Sequence, residues 1–360
     1  MAGDDEKGKS MEKEKAMQLI RSAIPCLTDG LRAPEGLGFE KQVEMFRKMC
    51  LIREFDTQVR LLWMEGWING LAHSYVGAEA IAVGACAALE DGDFITSTHR
   101  GHGHTLAKGA DIKAMMAELH GKYEGLNHGK GGSMHIADVD LGILGATGIV
   151  GSGMPIALGS ALSAKVLNNG KVTVCFHGDG GANQGVWHET INMAAAWDLP
   201  AIFLTENNQY AIATEIGWVT GENNLYKRAA GYGIEGVQVD GFNVFEVYNA
   251  VKAAAKKARE GGGPTLIEAR FMRLLGHFVA DDQWYRDKEA NDAFWLVEPI
   301  GRMRDYFIQN GLLSEEDMQC IQAEATGEIA DAIDYAQNEC TEPPESILYD
   351  DVYANGEIIV

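Results

Sequence analysis

Residues Val172–Tyr210 read VTVCF, HGDGGANQG, VWHETINMAAAWD, LPAIFLTE and NNQY. Val172–Phe176 is a short apolar run rich in β-formers, and Ala201–Thr205 is another. Each has the length of a buried parallel strand. Between them Asn183–Asp198 carries helix formers, with Val186, Ile191, Ala194 and Ala195 at helical spacing, and Pro200 punctuates the exit. The stretch is a strand–helix–strand unit. Asp179 falls just past the first strand and Asn207–Asn208 just past the second. A right-handed crossover opens both ends on one sheet edge, where α/β proteins bind ligands. Asp179 offers a carboxylate, Asn208 an amide oxygen, and the irregular turn through Tyr210 a free carbonyl. Three hard oxygens leave room for phosphate oxygens and water around an octahedral Mg²⁺. Gly178, Gly180 and Gly181 let the backbone approach a diphosphate, and the following helix N-terminus favours negative charge. Gly-Asp-Gly alone is as easily a plain turn; the Asn-Asn pair after the next strand favours the metal reading.

Working outward, the chain has 360 residues, enough for one large α/β domain or two ordinary ones. Its hydrophobic content of 46% supports a substantial core. A formal charge of −22 argues against nucleic acid and anionic membranes as partners. It does not argue against a small anion in a locally positive site. Six scattered cysteines form no C-x-x-C and suggest reduced thiols. The N-terminus, MAGDDEKGKSMEKEK, has neither an apolar secretion core nor the Arg-rich, acid-poor look of a transit peptide. No apolar stretch is long enough to cross a bilayer, so a cytoplasmic protein is expected.

Met1–Lys15 reads as a charged tail. Gly3–Ser10 fits the P-loop pattern, but no strand precedes it, and Asp4, Asp5 and Glu6 oppose phosphate. Phe39–Leu62 reads as a long amphipathic helix, Ala78–Leu89 as a small-residue helix and Phe94–Thr96 as a short strand. Ser97–His104 reads as a polar Gly-rich turn, Ile112–His120 as a helix, and Gly125–Gly151 as an extended loop crossing the site edge. Pro155–Leu167 is an Ala/Leu-rich helix. Beyond the central unit come a helix at Asn224–Tyr232, a strand at Gly236–Val239, a helix at Val244–Arg259 and a strand at Thr265–Phe271. Ala280–Lys288 is a loop, and Asn291–Tyr335 is helical with Ser314 as N-cap. The expected fold is α/β, a mostly parallel sheet flanked by helices, with helical extensions at both ends. Residues 1–37 would be tail and arm, 38–345 the domain, and 346–360 a C-terminal tail.

Gly178-Asp179-Gly180 through Asn207-Asn208 resembles the thiamine diphosphate signature of thiamine-dependent enzymes. ITSTHRGHGH (Ile95–His104), KGGSMHIADVDLGILGATGIVG (Lys130–Gly151) and YRDKE (Tyr285–Glu289) extend the likeness from about Phe39 to Pro344. The whole resembles the alpha subunit of the first component of 2-oxo-acid dehydrogenase complexes, and within that group acetoin dehydrogenase alpha subunits. The resemblance implies a thiamine-diphosphate-binding fold, with thiamine diphosphate and Mg²⁺ as cofactors and Asp179, Asn208 and Tyr210 as metal ligands. It implies that His99, Arg100, Gly180 and Gly181 meet the diphosphate, and that Gly148 and Val150 meet the aminopyrimidine ring. His73 and His277 match the two histidines that the family places near the reacting substrate; imidazole titrates near neutrality and can pass protons. His102 and His104 read as structural polar residues. Pyruvate dehydrogenase alpha subunits usually carry Tyr at the His99 position. The segment Leu275-Gly276-His277-Phe278 departs from the frequent His-Gly-His-Ser, so control by phosphorylation there is not expected.

The resemblance further implies a separate beta subunit, in a heterotetramer of two alpha and two beta chains, that supplies the activating Glu. Neither Glu79 nor Glu206 matches that role. The implied reaction is oxidative carbon–carbon cleavage of acetoin, the acyl group passing to lipoamide on an acyltransferase. A decarboxylating pyruvate or other 2-oxo-acid dehydrogenase is the alternative. A nicotinamide-dependent dehydrogenase is remote, because Asn183 stands where the third glycine of that fingerprint belongs. A non-catalytic paralogue is disfavoured by intact Asp179, Asn208, Arg100, His73 and His277.

Overall fold

The computed structural model describes residues 2–350, with side chains described from Glu12 onward. The helices before the central unit are α1 (Ala2–Ala23), α2 (Phe39–Glu65), α3 (Glu79–Ala87), α4 (Gly101–Lys108), α5 (Ile112–Leu119) and α6 (Gly153–Leu167). The P-loop-like Gly3–Ser10 lies within α1 rather than in a strand-to-helix loop, and its side chains lie outside the described residues, as does 351–360 of the expected C-terminal tail. The central unit consists of β2 (Thr173–Gly178), α7 (Gly185–Ala196) and β3 (Ala201–Asn207). With β1 (Phe94–Thr96), β2 and β3 form three strands of a five-stranded sheet. The order is β1, β2, β3, Thr265–Arg270, Glu235–Asp240, and every neighbouring pair is parallel.

The strands are apolar on both faces because both faces are covered. Val174, Phe176, Ile202, Leu204 and Ile267 enter one cluster with α2, α3 and the Val244–Arg259 helix. Their alternates Cys175, Ala201, Phe203 and Leu266 enter a second with α6 and α7. A period of two thus divides each strand between two helical layers. The small residues of α3 have a packing reason: a Cβ on Gly84 would lie 2.6 Å from the Val244 carbonyl oxygen. Burial pushes the thiols of Cys26, Cys50, Cys86 and Cys175 up to about 12, and all six cysteines are free. No described helix is long and apolar enough to cross a membrane.

Three expectations are corrected. Ser97–His104 is not a turn throughout, since α4 begins at Gly101. Its glycines serve close approach: a Cβ on Gly103 would lie 2.1 Å from the Tyr75 ring. Asn224–Tyr232 is a tighter 3₁₀ helix from Leu225. The C-terminal region breaks at Glu298–Pro299 and at Gly311–Ser314, and Ser314 closes a capping box with Asp317.

The Gly125–Gly151 segment covers the open edge of β1. Ile95 donates to the Gly142 carbonyl at 2.8 Å and accepts from Leu144 at 2.9 Å. Glu118, fully buried at the end of α5, organises the first half. Its carboxylate accepts the amides of Asn127 (2.7 Å), Gly129 (2.9 Å), Gly131 (2.8 Å) and Gly132 (2.9 Å). Gln in its place would aim donors at two of these N–H groups. Glu118→Gln is therefore expected to cost about 3 kcal/mol of stability in urea unfolding. A loss below about 1 kcal/mol would contradict this account of the loop.

Candidate active site

The carboxyl ends of β1, β2, β3 and Thr265–Arg270 open into a cavity of about 290 Å³. Register explains why Asp179 and Asn208 meet there. Gly178 pairs with Glu206 across β2 and β3, so each chain leaves its strand at the same level. Asp179 and Asn208 are both buried on the cavity wall. The Asn208 side-chain oxygen accepts from the Tyr210 amide at 3.1 Å, which closes a tight turn with Gln209 at φ 69°. Tyr210 then enters a two-residue hairpin with Thr214–Glu215. A Cβ on Gly180 would stand 2.8 Å from that of Ala211, so glycine lets the two loops touch. Gly181 also lines the cavity.

Burial pushes the Asp179 carboxyl up to about 6; backbone hydrogen bonds and the Arg273 charge act against the rise. Among the described residues no side chain donates to this carboxylate or forms an ion pair with it. A buried carboxylate without a cationic partner is costly, and a cation relieves the cost. The oxygens of Asp179 and Asn208 are the donors that a hard divalent ion takes.

Opposite charge is also present without a partner. Arg100, at the start of α4, gives one arm to the Ser74 carbonyl at 2.7 Å and the other to the His277 carbonyl at 2.7 Å. Arg273 gives 2.9 Å bonds to His277 Nδ1 and the Ile212 carbonyl. Both guanidiniums are buried, and neither forms an ion pair with a carboxylate among the described residues. Burial, then Arg273, lowers Arg100 to about 9, and burial lowers Arg273. The buried Arg273 Nε has no acceptor. Two unpaired buried cations make a receptor for an anion with several oxygens. One cavity therefore brings together oxygens of the kind a hard cation takes and cations of the kind an oxyanion takes.

Three imidazoles cluster here, His99 and His277 on the wall and His73 behind it. The ring of His73 lies 4.6 Å from that of His99 and 4.9 Å from that of His277, centre to centre. Burial foremost, then Arg100, lowers His73 to about 3, His99 to about 2 and His277 to about 3, so all are neutral at pH 7. His277 Nδ1 faces Arg100 at 3.0 Å and Arg273 at 2.9 Å. Arginine only donates, so this nitrogen accepts and Nε2 holds the proton. His73 Nδ1 is buried without a partner. The three rings bring nitrogens within 4.8 Å of one another, a spacing that a metal could use. The two guanidiniums against His277 oppose a cation there and leave a neutral, proton-bearing group.

Of the residues read from sequence, His99, Arg100, Val150 and Gly180–Gly181 line this cavity, with Asp179, Asn208, Tyr210 and His277. His73 lies behind the wall against two of these rings. Gly148 is not on the wall; its neighbours are Met134 and His135. The sequence reading missed Arg273 and Tyr75. Arg273 lies four residues before His277 at a strand exit, a placement that could have raised it. Glu206 also lines the cavity, but it accepts from the Tyr75 hydroxyl and lies 3.1 Å from His104 Nε2.

Comparison with known proteins adds to this geometry. The profile of the family described as "Dehydrogenase E1 component" matches residues 47–345. The chain is 45% identical, over 90% of its length and 97% of the relative's, to the alpha subunit of acetoin:2,6-dichlorophenolindophenol oxidoreductase from Bacillus subtilis. It is 43% identical to the protein of the same name from Cupriavidus necator, over 86% and 94% of the two chains. It is 37% identical to the pyruvate dehydrogenase E1 component subunit alpha of Rhizobium meliloti, over 87% and 90%.

Proposed function

The chain belongs to the dehydrogenase E1 component family, and on that premise we propose that it is the alpha subunit of a thiamine-diphosphate-dependent oxidoreductase that cleaves acetoin. The observation that carries the reading is the pairing, in one cavity, of a buried carboxylate lacking a cation with two buried guanidiniums lacking an anion. Thiamine diphosphate, when bound, supplies a nucleophilic carbon and an electron sink, which amino-acid side chains lack. The chain's own residues do the rest. Asp179, Asn208 and the Tyr210 carbonyl hold Mg²⁺. Arg100 and His99 bind the diphosphate beside Gly180 and Gly181. Val150, on the cavity wall, meets the aminopyrimidine ring, and the expected contact of Gly148 with that ring needs a shift of its segment toward the cavity. His277 offers the proton on Nε2 to oxygen charge that develops on the substrate, and His73 serves beside it. Phe176 and Phe271, both buried, exclude water from this wall.

Among the described residues, Asp179 and Glu206 are the carboxylates on the cavity wall, and both have the other duties described above. A beta subunit must therefore bring the acid that activates the pyrimidine, and the working unit is two alpha and two beta chains. The acyl group passes to lipoamide on an acyltransferase. The alternative substrate is pyruvate or another 2-oxo acid, supported by the pyruvate dehydrogenase relatives.

Assay of the reconstituted alpha–beta pair separates these readings. We expect kcat/KM for acetoin to exceed that for pyruvate and branched 2-oxo acids by at least about tenfold. The reverse order assigns the enzyme to 2-oxo acids. The alpha chain alone is expected to be inactive, and turnover by it would refute the need for a beta subunit.

A further inference from the structure

Asp56 lies on α2, outside the cavity, and is buried. One of its oxygens accepts the Tyr75 amide and the Ser74 hydroxyl, the latter at 3.3 Å. The other lies 2.7 Å from His102 Nδ1. His102 belongs to α4, the helix that follows Arg100. Its Nε2 lies 2.9 Å from the Ser133 hydroxyl, in the Gly-rich segment. A neutral imidazole that donates to Asp56 at Nδ1 accepts from Ser133 at Nε2. One carboxylate thus joins three separate pieces of chain: the loop of His73, Ser74 and Tyr75, the helix behind Arg100, and the segment leading to Gly148 and Val150.

The order Asp56–His102–Ser133 has the connectivity of a hydrolytic triad. Burial decides against that use. Ser133 is 6% exposed and is not on the cavity wall, so its hydroxyl meets no substrate. What the chain of bonds controls is placement. The carbonyl of Ser74, fixed beside Asp56, takes one arm of Arg100. The tilt of that guanidinium toward a diphosphate depends on where Ser74 stands.

We propose that Asp56 is a positioning residue for the cofactor: through Ser74 it orients Arg100, and through His102 and Ser133 it ties the pyrimidine-facing segment to the same support. The inference rests on the thiamine diphosphate reading above. In Asp56→Asn the amide nitrogen turns a donor toward either Tyr75 N–H or His102 Nδ1–H. One wall then loses its anchor.

The test is calorimetric titration of the alpha–beta assembly with thiamine diphosphate at saturating Mg²⁺. For Asp56→Asn the Kd is expected to rise about tenfold to a hundredfold, with kcat at saturating cofactor within about threefold of native. For His102→Gln a rise of about threefold to tenfold is expected, because the Ser74 and Tyr75 bonds remain. A lower Tm with unchanged Kd in both variants would make Asp56 merely structural and overturn the proposal. Should Asp56→Asn fail to fold, an unchanged Kd in His102→Gln overturns it alone. Failure of the native assembly to bind thiamine diphosphate would instead overturn the functional reading.

Discussion

Asp179→Asn is expected to raise the Kd for thiamine diphosphate in the presence of Mg²⁺ by at least about a hundredfold and to remove activity in proportion. The same substitution should stabilise the chain when no cofactor is present. Burial holds the native carboxyl at about 6 against its ordinary 3.8. Below about pH 4 the group is protonated folded and unfolded, and it costs nothing. Between about 4 and 6 the folded state holds more protons, so stability falls as pH rises. Above 6 the full cost is present, about 3 kcal/mol at most from a rise of roughly two units. The histidines act the other way. His73, His99 and His277 are depressed, so their contribution is lost as pH falls from 6.5 toward 3. The difference between Asp179→Asn and native unfolding curves isolates the aspartate. It should be largest above pH 6 and vanish near pH 4. A variant less stable than native at pH 7 would show that the carboxylate already has a partner in the fold.

His277→Ala is expected to lower kcat by about a hundredfold to ten-thousandfold, the range for loss of a placed proton donor, with a smaller effect on cofactor affinity. The argument is geometric. Two guanidiniums fix which nitrogen holds the proton, and the ring lines the cavity. Burial first, and then these two charges, keep the imidazole neutral at pH 7. When an anion binds near Arg100 and Arg273, their charge is offset and the His277 pKa rises. A cofactor analogue should therefore shift the ring's NMR titration upward from about 3. An unchanged titration, with kcat retained in the alanine variant, would remove His277 as the donor to that developing charge.

The central unit was legible because one rule governs it: short apolar strands around a helix put their exits on one edge. Phe94–Thr96 was readable for the same reason. The α4 helix was not, because Gly101 and Gly103 suppress helix propensity locally. They are there to let Tyr75 and Ala146 approach, a contact between distant parts of the chain. Glu118 and Asp56 were invisible for a related reason. Each sits in a helical run and looks like a solvent-facing charge. Only the fold brings loop amides and His102 against them. Arg273 escaped because an arginine at a strand end has many uses, and burial without a carboxylate is a property of the folded chain alone.

The central claim is that Asp179 and Asn208 grip a divalent ion that in turn secures a diphosphate. Titration of the assembled protein with thiamine diphosphate, once in Mg²⁺ and once in EDTA, tests it directly. The account predicts saturable binding of one cofactor per alpha chain with Mg²⁺, and loss of that binding both in EDTA and in Asp179→Asn. Equally tight binding without a divalent ion, or none under either condition, would contradict it.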